Sequence, residues 1–336
     1  MKKALARPKI SVILFTLNDE DGTKKALDSV KKQTYPKDII EVIVMDNGSK
    51  DNSVEIAKQY TKYVYVSLKN VYENRADGMR KATGEFVYMV LEDDMEFRGK
   101  YFFQKLLKPM LEDDQIVASF TREYPRKDQN WVTRFISYHP VQCDPLFEFL
   151  TPSIKSTIIK KEKGYFLCRY TVGKIPPTTH MLFRKSYLKK TPVWKQKKDF
   201  DHDTIISLVD SGYNLFAYVP SAGDYHHHAK SLKELIEKRI RNLNLHYFPY
   251  QASTGFKWLD VNDKRSVVKM VFWVIYVNLF FPELIRGIVR FLKYRDWALF
   301  MQPIVSIVTT DAVLFYFLVN KSGRKIILNL FRKLFI

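Results

Sequence analysis

The sequence predicts an α/β fold: a doubly wound, mostly parallel sheet with flanking helices, followed by a helical tail. Three observations carry that prediction. Over the first hundred residues short apolar runs alternate with single helical stretches, the pattern of strand–helix–strand units with right-handed crossovers. Each of these runs breaks off in acidic or hydrogen-bonding residues. Past Val267 the composition shifts to long apolar stretches fringed with lysine and arginine.

Ile10-Ser-Val-Ile-Leu-Phe-Thr16 is β-rich and stops at the polar turn Leu17-Asn-Asp-Glu-Asp-Gly22. Ala26, Leu27 and Val30 give Thr23 to Gln33 a helical apolar face, and Pro36 ends it. Ile39 to Met45 is a second strand, closed by Asp46-Asn-Gly-Ser-Lys-Asp51, after which Ser53 caps a helix to Tyr60. Val64 to Leu68 is a third strand and Arg75 to Thr83 a third helix. Phe86 to Leu91 is wholly apolar or aromatic and is bounded by Gly84 and Glu92-Asp-Asp94. Such a run reads as a strand buried on both faces.

Further on, Lys105 to Leu111 is a short helix and Ile116 to Thr121 a strand. Residues 124–161 read as loops with short helices, and Lys155, Lys160, Lys161 and Lys163 as a solvated or membrane-facing cluster. Trp131, Phe135, Tyr138 and His139 lie in these loops, and such residues fill a core more often than they line a binding groove. Thr178 to Arg184 is a strand. Ile205, Ile206, Leu208 and Val209 mark one face of a helix that Gly212 stops. Asn214 to Pro220 is a strand and Ser231 to Asn242 a basic helix.

Open α/β sheets bind ligands at the carboxyl ends of their strands. Neither glycine-rich phosphate-binding pattern is present. The strands end instead in Asn18 and Asp19, in Asp46 and Ser49, and in Glu92 and Asp94. Carboxylates in place of a backbone cradle predict a pyrophosphate held through a metal. Hard oxygen ligands at this spacing suit Mg2+ or Mn2+. An acidic cluster alone is more often a solvated turn; three polar strand ends together outweigh that reading.

From Ile10 to about Asn242 the chain resembles the family 2 inverting glycosyltransferases of the GT-A fold. The resemblance is carried by Phe15-Thr-Leu-Asn-Asp19, Leu27-Asp-Ser-Val-Lys-Lys-Gln-Thr-Tyr-Pro36, Val44-Met-Asp-Asn-Gly-Ser-Lys-Asp51, Arg75-Ala-Asp-Gly-Met-Arg-Lys-Ala-Thr-Gly-Glu85 and Glu92-Asp-Asp94. It implies a nucleotide-sugar site formed by Thr16, Asn18, Asp19, Asp46, Ser49 and Arg75, with Asp46 at the base and Asp93 toward the ribose. It also implies Asp94 and Glu92 as metal ligands, joined by His226 or His228 from Asp224-Tyr-His-His-His228. Counting back from Gly212-Tyr213 places the family's general base at Asp201, with Asp203 in reserve. Three residues depart from the family pattern: Phe15 stands for the usual proline, Ala76 for asparagine and Phe200 for glutamate. The processive Gln-x-x-Arg-Trp pattern is replaced by Lys238-Arg-Ile-Arg-Asn242, which favours one sugar per encounter. Arg239 and Arg241 suit a leaving diphosphate. A single base suffices for one inverting displacement, unlike the two carboxylates of a retaining glycosidase.

The net charge of +19 attracts nucleic acid or anionic lipid, and its distribution decides between them. Val271 to Pro282 is apolar but too short to span a bilayer. Trp297 to Asn320, with Asp311 its only charge, would be roughly 36 Å long as a helix. Arg286, Arg290, Lys293 and Arg295 between them disfavour a transmembrane hairpin. Lys321 to Ile336 alternates basic and apolar residues as a surface helix would. The excess charge is therefore expected at a membrane lipid surface, with no nucleic acid partner; a dimerising helix pair is the plainer reading of the tail. Two cysteines, Cys143 and Cys168, are too few for a disulfide framework. No secretory apolar core precedes Ile10, so a cytoplasmic catalytic domain at the cell membrane is expected.

The expected division is a donor-binding half over 1–100, an acceptor and base half over 101–258, and a membrane-associating tail over 259–336. The expected function is metal-dependent transfer of a sugar from a nucleotide diphosphate to a glycan or polyprenyl-linked acceptor. A nucleic-acid-binding basic protein and a degenerate non-catalytic subunit are the alternatives.

Overall fold

The computed structural model describes residues 7–139, 144–178, 180–199, 202–247 and 264–335. The chain forms two compact units, one from residues 1–124 with 154–226 and the other from 125–153 with 227–336. From the N-terminus β1 (Ile10–Thr16), α1 (Glu20–Lys31), β2 (Ile40–Asp46), α2 (Ser53–Lys58), β3 (Val64–Val66), α3 (Val71–Lys81) and β4 (Phe86–Glu92) alternate. Then come β5 (Met95–Phe97), α4 (Phe102–Glu112), β6 (Ala118–Phe120), α5 (Trp131–Ser137) and α6 (Pro145–Leu150). The strands β7 (Ile158–Glu162), β8 (Tyr165–Arg169) and β9 (Met181–Arg184) precede α7 (Lys185–Leu188), α8 (Asp203–Asp210), β10 (Leu215–Tyr218) and β11 (Asp224–His226). The helices α9 (Leu232–Asn242), α10 (Lys264–Asn278), α11 (Phe281–Tyr294), α12 (Gln302–Val319) and α13 (Lys321–Phe335) complete the chain.

In the first unit every residue of β1 is buried, Ser11 and Thr16 included, as befits a central strand covered on both faces. It pairs in parallel with β2 on one side and β4 on the other. The chain winds outward through β2 to β3 and returns to the far side of β1 as β4, so the carboxyl end of β1 is a topological switch point. Register sets the three strand ends level: Thr16 lies opposite Asp46, and Phe15 opposite Glu92. The helix α3 can lie across β1 and β2 because Gly78 faces them. A Cβ there would meet Ile13 Cγ2 at 2.8 Å and Met45 Cγ at 3.2 Å.

Three expectations need correction here. The nine-stranded sheet, ordered β3-β2-β1-β4-β9-β6-β10-β8-β7, is mixed rather than mostly parallel. The pairs β4–β9, β6–β9, β8–β10 and β7–β8 are antiparallel. Residues 158–161, expected in loops, instead open a hairpin over 158–169, closed by Lys163-Gly164 with Gly164 at φ 99°, and a two-residue turn joins only antiparallel strands. Lys160 and Lys161 of the basic cluster fall on the edge strand β7, where lysines discourage pairing with another chain. The helix α3 also starts earlier than the sequence suggested, at Val71. Asn70 Oδ1 accepts from the backbone N–H groups of Tyr72 and Glu73, so Arg75 sits inside the helix.

The core beneath β4 and β5 is aromatic. Phe97 stacks on Phe102 with ring centroids 4.1 Å apart, and Tyr88 meets Phe97 edge-on at 5.0 Å. Each such buried ring contributes roughly 1.5–3 kcal/mol, which fixes the short β5 firmly to the sheet.

The second unit is helical, and its helix α11 turns polar residues inward. Glu283 of α11 is fully buried, and its Oε2 accepts from Gln302 Nε2 at 2.6 Å and Ser306 Oγ at 2.5 Å. Arg290 donates to Gln302 Oε1 at 2.6 Å and Arg286 to Glu148 Oε2 at 2.6 Å. The polar stripe of α11 thus faces inward, while Phe281, Ile285, Ile288, Val289 and Leu292 are exposed. Val271, Phe272, Ile275 and Leu279 on α10 are exposed too. The stretches Val267–Asn278 and Phe281–Tyr294 meet at a bend of 76°. Trp297–Val319 is, among the described residues, the one straight helical stretch long and apolar enough to cross a membrane. Its inner face, with Gln302, Ser306, Thr309 and Thr310, is buried within this unit.

Candidate active site

The site is built on the level ends of β1, β2 and β4. Asp46 closes β2 in a tight turn in which its Oδ1 accepts from the N–H groups of Gly48 at 2.8 Å and Ser49 at 2.9 Å. Gly48 takes φ 91°, a conformation glycine adopts without strain. The other oxygen, Oδ2, is buried without a hydrogen-bond partner. A buried carboxylate oxygen left unmatched retains its capacity to accept a hydrogen bond. The neighbouring β1 loop is stapled to this turn in both directions. Asn18 N–H donates to Ser49 Oγ at 2.9 Å, and Lys50 N–H donates to Asn18 Oδ1 at 2.8 Å. Asn18 adopts φ 53° to make that exchange. Asp19 caps α1 by accepting from Gly22 N–H at 2.8 Å, and Thr16 Oγ1 pairs with Thr23 Oγ1 at 2.6 Å.

At the end of β4 the acidic residues part company. Asp93 turns back to β1, where its Oδ2 accepts from Leu17 N–H at 3.0 Å. Burial pushes its carboxyl up to about 7, against the restraint of that N–H. Glu92 and Asp94 face His226. The imidazole Nε2 lies 3.1 Å from Asp94 Oδ1 and 3.9 Å from Glu92 Oε2. What brings them together is a two-stranded antiparallel sheet of β5 and β11, whose register sets His226 opposite Met95. Burial opposes a charged His226, but Asp94 and Glu123 more than offset it and hold the imidazole well above its ordinary pKa. Two carboxylate oxygens and a ring nitrogen within 4.8 Å of one another form a donor set that can hold a divalent metal ion.

Arg75 reaches this cluster from α3. Its Nη2 donates to Glu92 Oε1 at 3.1 Å, and its guanidinium lies against the rings of Phe15 and Tyr72. Phe15, the departure from the family pattern, therefore serves as a platform for Arg75. Asp199 is buried and ties to α3 through its N–H, which donates to Tyr72 O at 3.0 Å. Burial raises its carboxyl to about 6, opposed by the Arg75 charge and by Thr204 Oγ1, which donates at 2.9 Å. Asp203 opens α8. Asp201 lies outside the described residues.

The remaining expected site residues belong to the second unit. His228 offers its carbonyl to Lys238 Nζ at 2.5 Å. Arg239 pairs with Asp144 at 2.5 Å and lies over the Phe147 ring. Arg241 is exposed on α9. Sequence reasoning passed over three groups around His226. Glu123 Oε1 is 3.2 Å from its Nδ1, and Asp224 Oδ2 is 3.1 Å from His180 Nδ1. Glu123 lies just past β6 as Asp94 lies just past β4; that repeated signature could have flagged it.

The model of the family described as "Glycosyl transferase family 2" matches residues 11–191, more than half of the chain. Among curated proteins the chain is 41% identical over 71 residues to Glycosyltransferase AglE of Haloferax volcanii, covering 21% of this chain and 23% of that one. It is 36% identical over 124 residues to the uncharacterized glycosyltransferase YibD of Escherichia coli, covering 34% of each. The match to the poly(ribitol-phosphate) beta-glucosyltransferase of Bacillus spizizenii is 36% over 94 residues, 26% of this chain and 15% of that one. The chain thus spans between 15% and 34% of the length of these relatives. Among solved structures, mannosyltransferase PcManGT from Pyrobaculum calidifontis, in complex with GDP-Man and Mn2+, superposes with a TM-score of 0.47 at 16% identity, over 90% of this chain and 87% of that one. Staphylococcus aureus TarS 1-349 with UDP-GlcNAc gives 0.44 at 18%, over 69% and 65%. The level strand ends of the mixed sheet and the extent of the family match lead to one assignment: the chain belongs to glycosyl transferase family 2.

Proposed function

We propose that the chain is a metal-dependent inverting glycosyltransferase, moving a sugar from a nucleotide diphosphate to a glycan or polyprenyl-linked acceptor at the cytosolic face of the cell membrane. One observation carries the reading: Glu92, Asp94 and His226 converge at the end of β4, level across β1 with the end of β2 that holds the unmatched Asp46 oxygen. In this reading Asp46 Oδ2 takes an N–H of the base, and the Asn18–Ser49 staple holds the loop that borders the nucleotide. Glu92, Asp94 and His226 would hold Mg2+ or Mn2+, and the ring nitrogen favours Mn2+ of the two. The ion, when bound, neutralises charge on the departing diphosphate.

Arg75 keeps Glu92 oriented. Asp201, with Asp203 in reserve, takes the acceptor's hydroxyl proton as that oxygen bonds to the anomeric carbon and the carbon–oxygen bond to the diphosphate breaks. A base in reach contributes a factor on the order of 10²–10⁴. A single displacement inverts the anomeric centre. The outer face of α11 supports the membrane part of the reading: Phe281, Ile285 and Leu292 are exposed while Glu283, Arg286 and Arg290 are engaged by polar partners within the unit, a pattern suited to a lipid surface.

Asp94→Ala and Asp201→Ala are each expected to abolish transfer in isolated membranes supplied with metal and a panel of nucleotide sugars. Full activity in either variant refutes its role, and a product with the donor's anomeric configuration by NMR refutes the inverting course.

A further inference from the structure

Glu123 follows β6 and is buried, 4% exposed. Its Oε1 meets His226 Nδ1 at 3.2 Å, while Nε2 of the same ring meets Asp94 Oδ1 at 3.1 Å. The two nitrogens of an imidazole are distinct, and a hydrogen bond to one decides what the other offers. The backbone holds this line of groups as firmly as the side chains do. Tyr124 N–H donates to Asp224 O at 2.9 Å, and β11 pairs with β5 so that His226 sits opposite Met95, next to Asp94. Three chain segments are therefore laced together where Asp94, His226 and Glu123 line up. Behind them His180, held on Asp224 at 3.1 Å, places its ring 5.4 Å from that of His226.

We infer that Glu123 is a positioning residue for the metal site: its carboxylate accepts the Nδ1 proton of His226 and fixes the tautomer that turns the Nε2 lone pair toward Glu92 and Asp94. The inference rests on the metal-dependent reading above. A metal-bound histidine nearly always donates its second ring N–H to such a partner, and loss of that partner typically weakens metal binding roughly 10–100-fold. The competing role is direct ligation of a separate ion, since Glu123, His180 and His226 also present atoms within 4.8 Å of one another. Two near-isosteric variants separate the roles. Glu123→Gln keeps an oxygen that can accept the Nδ1 proton; Glu123→Met fills the same space and accepts nothing.

The test is titration of the full-length protein with Mn2+ alone, reading free ion by electron paramagnetic resonance, with thermal unfolding of each variant alongside. Glu123→Met is expected to weaken Mn2+ roughly 10–100-fold and Glu123→Gln by no more than about threefold. In a His226→Ala background, Glu123→Met should cost nothing further, because its effect runs through that ring. Met binding as tightly as the parent, Gln as weak as Met, an additive loss in the His226→Ala background, or two ions per chain would each overturn the inference. If the parent binds no Mn2+, the metal-dependent reading falls and the inference falls with it. If the parent binds and Glu123→Met is unaffected, only the inference falls.

Discussion

Replacing Asp46 by asparagine tests the proposed nucleotide contact with little disturbance to the fold. The side chain keeps its shape, and its carbonyl oxygen can still accept from Gly48 and Ser49 at 2.8 and 2.9 Å. What changes is the unmatched position: the acceptor Oδ2 becomes an amide donor. A hydrogen bond to a charged acceptor is worth roughly 1.5–3 kcal/mol, and leaving the ligand N–H unmatched adds roughly 1–3 kcal/mol. A combined loss of about 3 kcal/mol lowers nucleotide affinity about a hundredfold. Stability should stay within about 1 kcal/mol of the parent, since no protein–protein hydrogen bond is lost. The assay is calorimetric titration with a panel of nucleoside diphosphates, choosing the tightest for the parent and repeating it with Asp46→Asn. Affinity within about threefold of the parent would refute the role of this oxygen. So would an equal loss for inorganic pyrophosphate, which has no base to contact.

Two further outcomes follow from the geometry. The Asp199 carboxyl, raised to about 6 by burial, binds its proton more tightly folded than unfolded, where the ordinary value is about 3.9. Its contribution to stability is therefore full below about pH 4 and is lost as pH rises through about 6. Relative to the parent, Asp199→Asn should gain stability across that window and level off above it, by up to about 3 kcal/mol at 1.36 kcal/mol per unit; parallel unfolding curves from pH 4 to 8 refute this. Ile285→Asp with Val289→Asp, both on the exposed face of α11, should reduce flotation with anionic vesicles at least about tenfold. Unchanged flotation would remove that face from the proposed membrane contact.

The alternation of strands and helices up to β4 was legible from the sequence because it is local. Uninterrupted apolar runs of six or seven residues need two covered faces, and a central parallel strand supplies them. The polar ends of those strands were legible for the same reason, and register alone made them level. The hairpin over 158–169 was not, because Ile158 and Ile159 followed by two lysines carry too little periodicity to separate an edge strand from a loop. The start of α3 was present in Asn70-Val-Tyr-Glu73, whose polar first residue and glutamate three positions on form a capping signal.

The sequence by itself determined the α/β class and the three polar strand ends. Tertiary structure alone decided which histidine joins the acidic pair. The family resemblance left His226 and His228 as alternatives; the antiparallel register of β5 with β11 singles out His226 by setting it opposite Met95. It also split Glu92-Asp-Asp94, sending Asp93 to the β1 loop and leaving Glu92 and Asp94 for His226. Glu123 joins His226 from 103 residues away in the chain. The physical reason is the same in each case: these contacts depend on strand pairing between distant segments, and no local preference encodes it.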